Sequence, residues 1–409
     1  MSHLPNAFPA IRALKHRARA LAGSSALNSA PRFATAALWA ALIATAAVTV
    51  VLGDINRAQA LDLLGNSGGT APTWGNHGGA GNGGGGSAYN KGGVGDKRSV
   101  LAVGGQGVTG ATGLGNSGGG AGGAGGAVGA TNIGSGLTQI VGNGGKAGGA
   151  HLNAGAGGGG GAGVFLKDQF LSTYLDLVIT GGGGGTGGAA VADAALTDAA
   201  GGGGGGGAGT VLEGGELINV RGALIVGGKG GAAGKGLTGT AAKNLAGAGA
   251  GGDGVLVMNG AHFTNLGSVK GGDAGDNAQS AENQAFAGSG VRIGDNGYFI
   301  NEGIVAPGQS QKAGAAAIVI AGNDATLELH SGSNIQGAVI AIGGAKNASL
   351  LVGDDEDQTL DLNIGIFDGF AKMSKTGSNT LLLSGSTSAI TPWHIEEGKL
   401  VASVAGSLG

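Results

Sequence analysis

Gly254-Val255-Leu256-Val257-Met258-Asn259-Gly260-Ala261-His262-Phe263-Thr264-Asn265 joins two short apolar runs through an Asn-Gly pair. The same grammar returns in Gly209-Thr210-Val211-Leu212-Glu213-Gly214-Gly215-Glu216-Leu217-Ile218-Asn219 and in Gly290-Val291-Arg292-Ile293-Gly294-Asp295-Asn296-Gly297-Tyr298-Phe299-Ile300-Asn301. After each terminal Asn the chain passes a turn glycine and enters a third apolar run: Asn219 with Gly222, Asn265 with Gly267, Asn301 with Gly303. A looser copy starts at Gly163, so the copies begin at residues 163, 209, 254 and 290. Those separations fall in the range of solenoid repeats.

Each run is too short to bury a face alone, and alternate positions such as Val255 and Val257, or Val291 and Ile293, are apolar. Asn-Gly and Gly-Gly pairs tolerate the positive φ that tight turns need. Stacking the units about 4.8 Å apart would pair each strand with the next coil and line the interior with Val, Ile and Leu. The expected fold is therefore all-β: a parallel β-helix solenoid over 161–409, preceded by a Gly-rich low-complexity segment at 61–160 and an N-terminal signal helix within 1–60. Ile318-Val319-Ile320, Leu327-Glu328-Leu329 and Leu350-Leu351-Val352 continue the rhythm with fewer inserted glycines. The longer polyglycine stretches are expected to project as loops from one edge.

Composition agrees with a stacked rather than a globular core. Of 409 residues 99 are Gly, only 4% are aromatic and none is Cys, which removes disulfides, thiolate metal sites and thiol nucleophiles. Residues 1–60 hold six of the 22 basic and one of the 25 acidic residues, so the remainder carries −8. An acidic body argues against a nucleic-acid partner.

The leader places Arg12, Lys15, Arg17, Arg19 and Arg32 ahead of an uncharged run, Phe33 to Leu52, followed by Ala58-Gln59-Ala60. A basic segment, an apolar run and small residues at Ala58 and Ala60 form the pattern of a secretory signal peptide cleaved after Ala60. The run is also long enough to cross a bilayer, so an uncleaved anchor is the alternative, although its many alanines make a poor stop-transfer helix. Either way the rest of the chain leaves the cytoplasm. Within 61–160, Val100-Leu101-Ala102-Val103 and Leu137-Thr138-Gln139-Ile140-Val141 stand as apolar islands between glycines. They are either short strands of a stacked array or parts of a flexible linker.

Lys375-Thr376-Gly377-Ser378-Asn379-Thr380-Leu381-Leu382-Leu383-Ser384-Gly385, followed by Glu397-Gly398-Lys399-Leu400-Val401-Ala402, resembles the repeat of bacterial autotransporter passengers. The residues that carry the likeness are Lys375, Gly377, Leu381, Leu383, Ser384 and Gly385; Asn379 stands where that repeat has its second glycine. The phrases Phe299-Ile300-Asn301-Glu302-Gly303 and Phe263-Thr264-Asn265-Leu266-Gly267 are similar to coils of the same family. The resemblance implies an exported β-helix carried to the outer membrane and cell surface, or secreted, through a membrane β-barrel. No ten-residue alternating strands of a barrel follow, so the chain is expected to be an N-terminal portion whose barrel lies outside it.

Candidate chemistry is sparse. Asp354-Asp355-Glu356-Asp357 has the oxygens that Ca²⁺ wants, but adjacent acids after a glycine commonly form a solvated turn. Asp253 sits in one imperfect copy of a calcium-binding nonapeptide, with Ala248 replacing its first glycine. The seven His are scattered without paired spacing, and no Gly-Asp-Ser-Gly nucleophile turn occurs. No catalytic residue, metal or cofactor is expected. Two functions remain: an adhesin or structural stalk making multivalent contacts with host or neighbouring-cell surface molecules, and a carbohydrate-active β-helix enzyme of the lyase or hydrolase type. The enzyme would need a clustered acid and base, with Asp273 and Asp276 as the sequence's nearest candidates. Carboxylates converging from three adjacent coils would favour it; scattered acids would favour the adhesin.

Overall fold

In a computed structural model of the chain, the described residues are 139–149, 157–189, 200–235, 247–276, 284–311, 315–342, 345–362, 367–385, 392–404 and 407. The chain divides into two units, Met1–Leu61 and Asp62–Gly409, and all described residues lie in the second. The expected signal helix with Ala58 and Ala60, and the island Val100-Leu101-Ala102-Val103, lie outside the described residues.

Among the described residues the secondary structure is all strand, and the recorded pairings are all parallel. The first sheet stacks β1 (Gln139–Val141), β4 (Val178–Thr180), β7 (Leu224–Val226), β10 (Ser268–Lys270), β13 (Ile304–Ala306) and β16 (Asn334–Ile335). The second stacks β2 (Val164–Lys167), β5 (Thr210–Glu213), β8 (Val255–Met258), β11 (Val291–Ile293), β14 (Ala316–Ile320), β17 (Ala338–Ala341) and β20 (Phe367–Asp368). The third contains β3 (Phe170–Ser172), β6 (Glu216–Asn219), β9 (His262–Asn265), β12 (Tyr298–Asn301), β15 (Thr326–Leu329), β18 (Ser349–Val352), β21 (Lys372–Lys375) and β23 (Trp393–Ile395). A fourth, short sheet holds β19 (Gln358–Asp361), β22 (Thr380–Ser384) and β24 (Lys399–Ala402). The chain visits the second, third and first sheets in turn before rising one level, the winding of a parallel β-helix. Eight strands in the third sheet give a stack about 34 Å long.

The expected interior ladder is present. Val255 pairs with Val291 and Val257 with Ile293, and all four are fully buried. Ile179, Ile225, Val269 and Val305 form the matching column of the first sheet. In the third sheet Leu217, Phe263, Phe299, Leu327 and Leu350 stack in register, with the two Phe rings 4.9 Å apart and 8° from parallel. β1 pairs with β4, so the stack begins upstream of Gly163.

The polyglycine stretches differ from the expected projecting loops. They run out from the first sheet and return to the second, packed against one another in two layers. Outgoing segments bond upward at every third residue: Gly181 N–H to Val226, Gly184 to Lys229 and Gly187 to Ala232. Returning segments do the same, with Gly203 N–H donating to Gly247, Gly206 to Ala250 and Gly209 to Asp253. The next residue of each triplet crosses between layers: Gly207 N–H donates to Gly182 and Gly204 to Gly185, while Gly182 donates to Gly161 and Gly185 to Gly158. A period of three is that of the polyproline II helix, whose unpaired backbone groups are here satisfied by neighbouring segments. The reason for glycine is contact rather than turning. A Cβ on Gly181 or Gly184 would run into the carbonyls of Gly207 or Gly204 in the opposite layer, and one on Gly182 or Gly185 into those of Asn143 or Lys146 below, all well inside van der Waals distance. In the outgoing segments the third position faces outward, and there side chains appear: Thr186, Lys229, Ala232, Asp273 and Asp276; in the returning segments it is buried, as at Ala162 and Ala208. Entropy lost in ordering glycine is offset by this dense backbone bonding.

Candidate functional site

The strand-end asparagines are not turn residues. Asn219, Asn265 and Asn301 are the last residues of β6, β9 and β12, fully buried, with their amides forming a ladder up the inside. Asn219 Nδ2 donates to Asn265 Oδ1 at 2.8 Å, Asn265 Nδ2 to Asn301 Oδ1 at 2.8 Å, and Asn301 Nδ2 closes on the Gly303 carbonyl at 3.0 Å. Thr173 Oγ1 donates to Asn219 Oδ1 at the lower end. The turns follow the ladder: Gly222 has φ +86°, while a Cβ on Gly267 or Gly303 would crowd the carbonyls of Val220 and Ala223, or of Gly267. The ladder's spacing fixes register, because a slipped coil would leave buried amides unpaired.

Higher in the same column, where Asn301 is followed by Leu329 and Val352, stands Lys375. It is fully buried, and its ammonium donates to the carbonyls of Thr376, Gly377 and Glu397 and to Asn379 Oδ1. Burial lowers its pKa, while the charges of Glu397, Asp354 and Asp357 pull it back up. Asn379 accepts from Lys375 and donates to the Glu356 carbonyl, tying two coils together. Gly377 and Gly385 have φ of +73° and +75°, and Leu381 and Leu383 point into the core. The carbonyl of Ser384 accepts from Leu362 N–H, and that of Gly385 from Ser407 Oγ. All six repeat residues thus have a defined place in the coil.

Titratable side chains gather on the outer face of the third sheet. His262 stacks on Tyr298, rings 5.4 Å apart. Tyr298 Oη donates to Glu328, whose other oxygen lies 2.6 Å from His330 Nε2; His330 Nδ1 is 3.0 Å from Glu302. One imidazole therefore clasps carboxylates from two successive coils. Burial disfavours its charge, but hydrogen bonds to Glu302 and Glu328 and their negative charges outweigh that and raise its pKa to about 9. Burial alone pushes Glu216 up and His262 down, each toward its neutral form. None of this was singled out in the sequence, where Glu302 and His330 are 28 residues apart. The signal lay in the register, since Asn301 pairs with Leu329 and their next residues therefore meet.

Because the folded pKa of His330 lies above the ordinary 6.5, its contribution is complete below pH 6.5 and lost as pH rises through 9. Raising pH from 6 to 10 should weaken the coils around β12 and β15 by on the order of 2 kcal/mol. His330→Gln should flatten that dependence in urea melts. Equal pH profiles for both proteins would contradict the clasp.

Four acids weighed from the sequence, Asp253, Asp273, Asp276 and Asp354, are engaged in structure. Asp354 accepts from Ser331 N and Oγ, Glu356 N and Gln358 Nε2, bonds that hold its pKa down against the opposing effect of burial. Asp253 is buried, accepts from Ser289 N and pairs with Arg292 at 2.8 Å. Asp273 accepts from Lys270 and Gln309 N, and Asp276 pairs with Lys229 at 2.6 Å; both occupy outward positions of glycine triplets. Among the described residues, no group of three or more His, Asp or Glu is arranged to hold a metal ion. No protein-family model, curated protein or solved structure matches the chain.

Proposed function

We propose that this chain is an exported surface passenger of the autotransporter type, serving as an adhesin or structural stalk. The observation that carries the proposal is the fit of the passenger-like repeat: Lys375, Gly377, Leu381, Leu383, Ser384 and Gly385 cap, turn and fill a coil continuous with the stack below it. A long lateral surface repeating every coil supplies many equivalent weak contacts, which suits multivalent engagement of host or neighbouring-cell molecules. Anchoring would come from a β-barrel outside this chain, and export from cleavage after Ala60.

The arrangement of acids supports the adhesive reading over carbohydrate chemistry. Among the described residues, Glu302 and Glu328 converge from two coils, and both bond to His330. Expression of the full chain in a Gram-negative host provides the test. Exported protein should begin at Leu61 and bind to cell surfaces when displayed on beads. Intact Met1 to Leu52 retained stably in the inner membrane, or depolymerisation of a polysaccharide, would overturn the reading.

A further inference from the structure

Parallel sheets are ordinarily covered on both faces. On the outer side of the second sheet Phe165, Val211 and Leu256 are buried, and on that of the third Glu216, His262 and Glu328 supply polar groups. The first sheet does neither. In β4, β7 and β10 the middle residue is buried in the core and its two neighbours point outward. Most of the outward positions are aliphatic, where a solvent-facing strand would carry polar residues: Val141, Val178, Leu224, Val226 and Ile304, bordered by Leu175 on the turn that leads into β4. Val141, Ile304 and Leu175 are 47%, 40% and 66% exposed.

The glycine array extends this face. Lys270, on the outer side of β10, pairs at 3.2 Å with Asp273, an outward residue of the outgoing segment that follows, so sheet and array present one continuous side. Six strands about 4.8 Å apart make it about 24 Å tall, and a strand with an outgoing segment such as Gly181 to Ala189 makes it about 35 Å wide. The resulting area, roughly 800 Å², is what one partner contributes to a stable protein interface. Charge points the same way. The acids at outward positions of the described outgoing segments, Asp273 and Asp276, are both paired with lysines, the second with Lys229 at 2.6 Å. A body that carries −8 therefore repels a copy of itself least across this side. We propose that two copies of this chain associate through the outer face of the first sheet and the adjoining outgoing layer, aliphatic side chains against aliphatic side chains. Such a pair is isologous, with the same patch used by both copies, and it stands whether or not the chain is exported.

Sedimentation equilibrium on the full chain at micromolar concentrations should show a dimer that persists in salt, as an apolar interface does. Leu224→Lys should weaken association by about tenfold or more, because its ammonium would face the partner's aliphatic side chains. Ile304→Lys should do the same. Both residues point away from the core, so the coils should still form, and slow exchange of the Val255–Met258 amides checks that they do. Phe170→Lys, at a 48% exposed position on the third sheet, should leave the dimer intact. A monomer at every concentration would overturn the proposal. So would association that survives both lysine variants, which would place the contact on another part of the chain. A monomer that floats with neutral phosphatidylcholine vesicles, and no longer does so as Leu224→Lys, would assign the face to a lipid surface and overturn the proposal as well.

Discussion

Gly207→Ala is expected to destabilise the middle of the solenoid by about 3 kcal/mol or more. The added methyl points at the Gly161 carbonyl, inside van der Waals distance, and both partners are backbone atoms held by their own hydrogen bonds. Neither can rotate away as a side chain would. Gly183→Ala is the matched control, because its methyl would find the Lys229 carbonyl at an ordinary 3.6 Å. Removing glycine entropy from the unfolded chain makes that change neutral or slightly stabilising. Urea melts and exchange rates across 200–209 check the contrast, and equal effects would mean that the glycines serve flexibility rather than packing.

Val291→Asp should be at least as damaging. Val291 is fully buried between Val255 and Ile318, in the column that every coil of the second sheet shares. An aspartate there loses its hydration and finds no partner, at a cost of about 4 kcal/mol or enough to keep it protonated. In a solenoid each coil supports both neighbours, so protection should fall on the flanking strands as well. Limited proteolysis should open the region after Gly254 in this variant, and leave it closed in Thr186→Asp, whose site is exposed on the array's outer side. Indistinguishable digests would remove the continuous core.

Strands and their order were legible because alternation and Asn-Gly turns are local signals: Val255, Val257, Val291 and Ile293 all face inward as their spacing implies. The glycine array was not. Polyglycine carries no apolar periodicity, and its frame shows only where a third position accepts a side chain, as at Lys229, Ala232, Asp273 and Asp276. The asparagine ladder was half legible: the recurrence of Asn219, Asn265 and Asn301 was plain, but a turn and a buried amide stack share that signature. The clasp of Glu302, Glu328 and His330 depends on register between coils, which no single stretch encodes. Lys375 was visible through resemblance, whereas its burial against three carbonyls and Asn379 required the coil above it.

Amide exchange within Gly201–Gly209 tests most directly whether the glycines form a rigid packed stalk. Gly203, Gly204, Gly206, Gly207 and Gly209 donate to neighbouring segments, and the account predicts exchange as slow as in the adjoining strand Thr210–Glu213. Exchange at the rate of an unstructured glycine-rich chain, beside a protected strand, would contradict it.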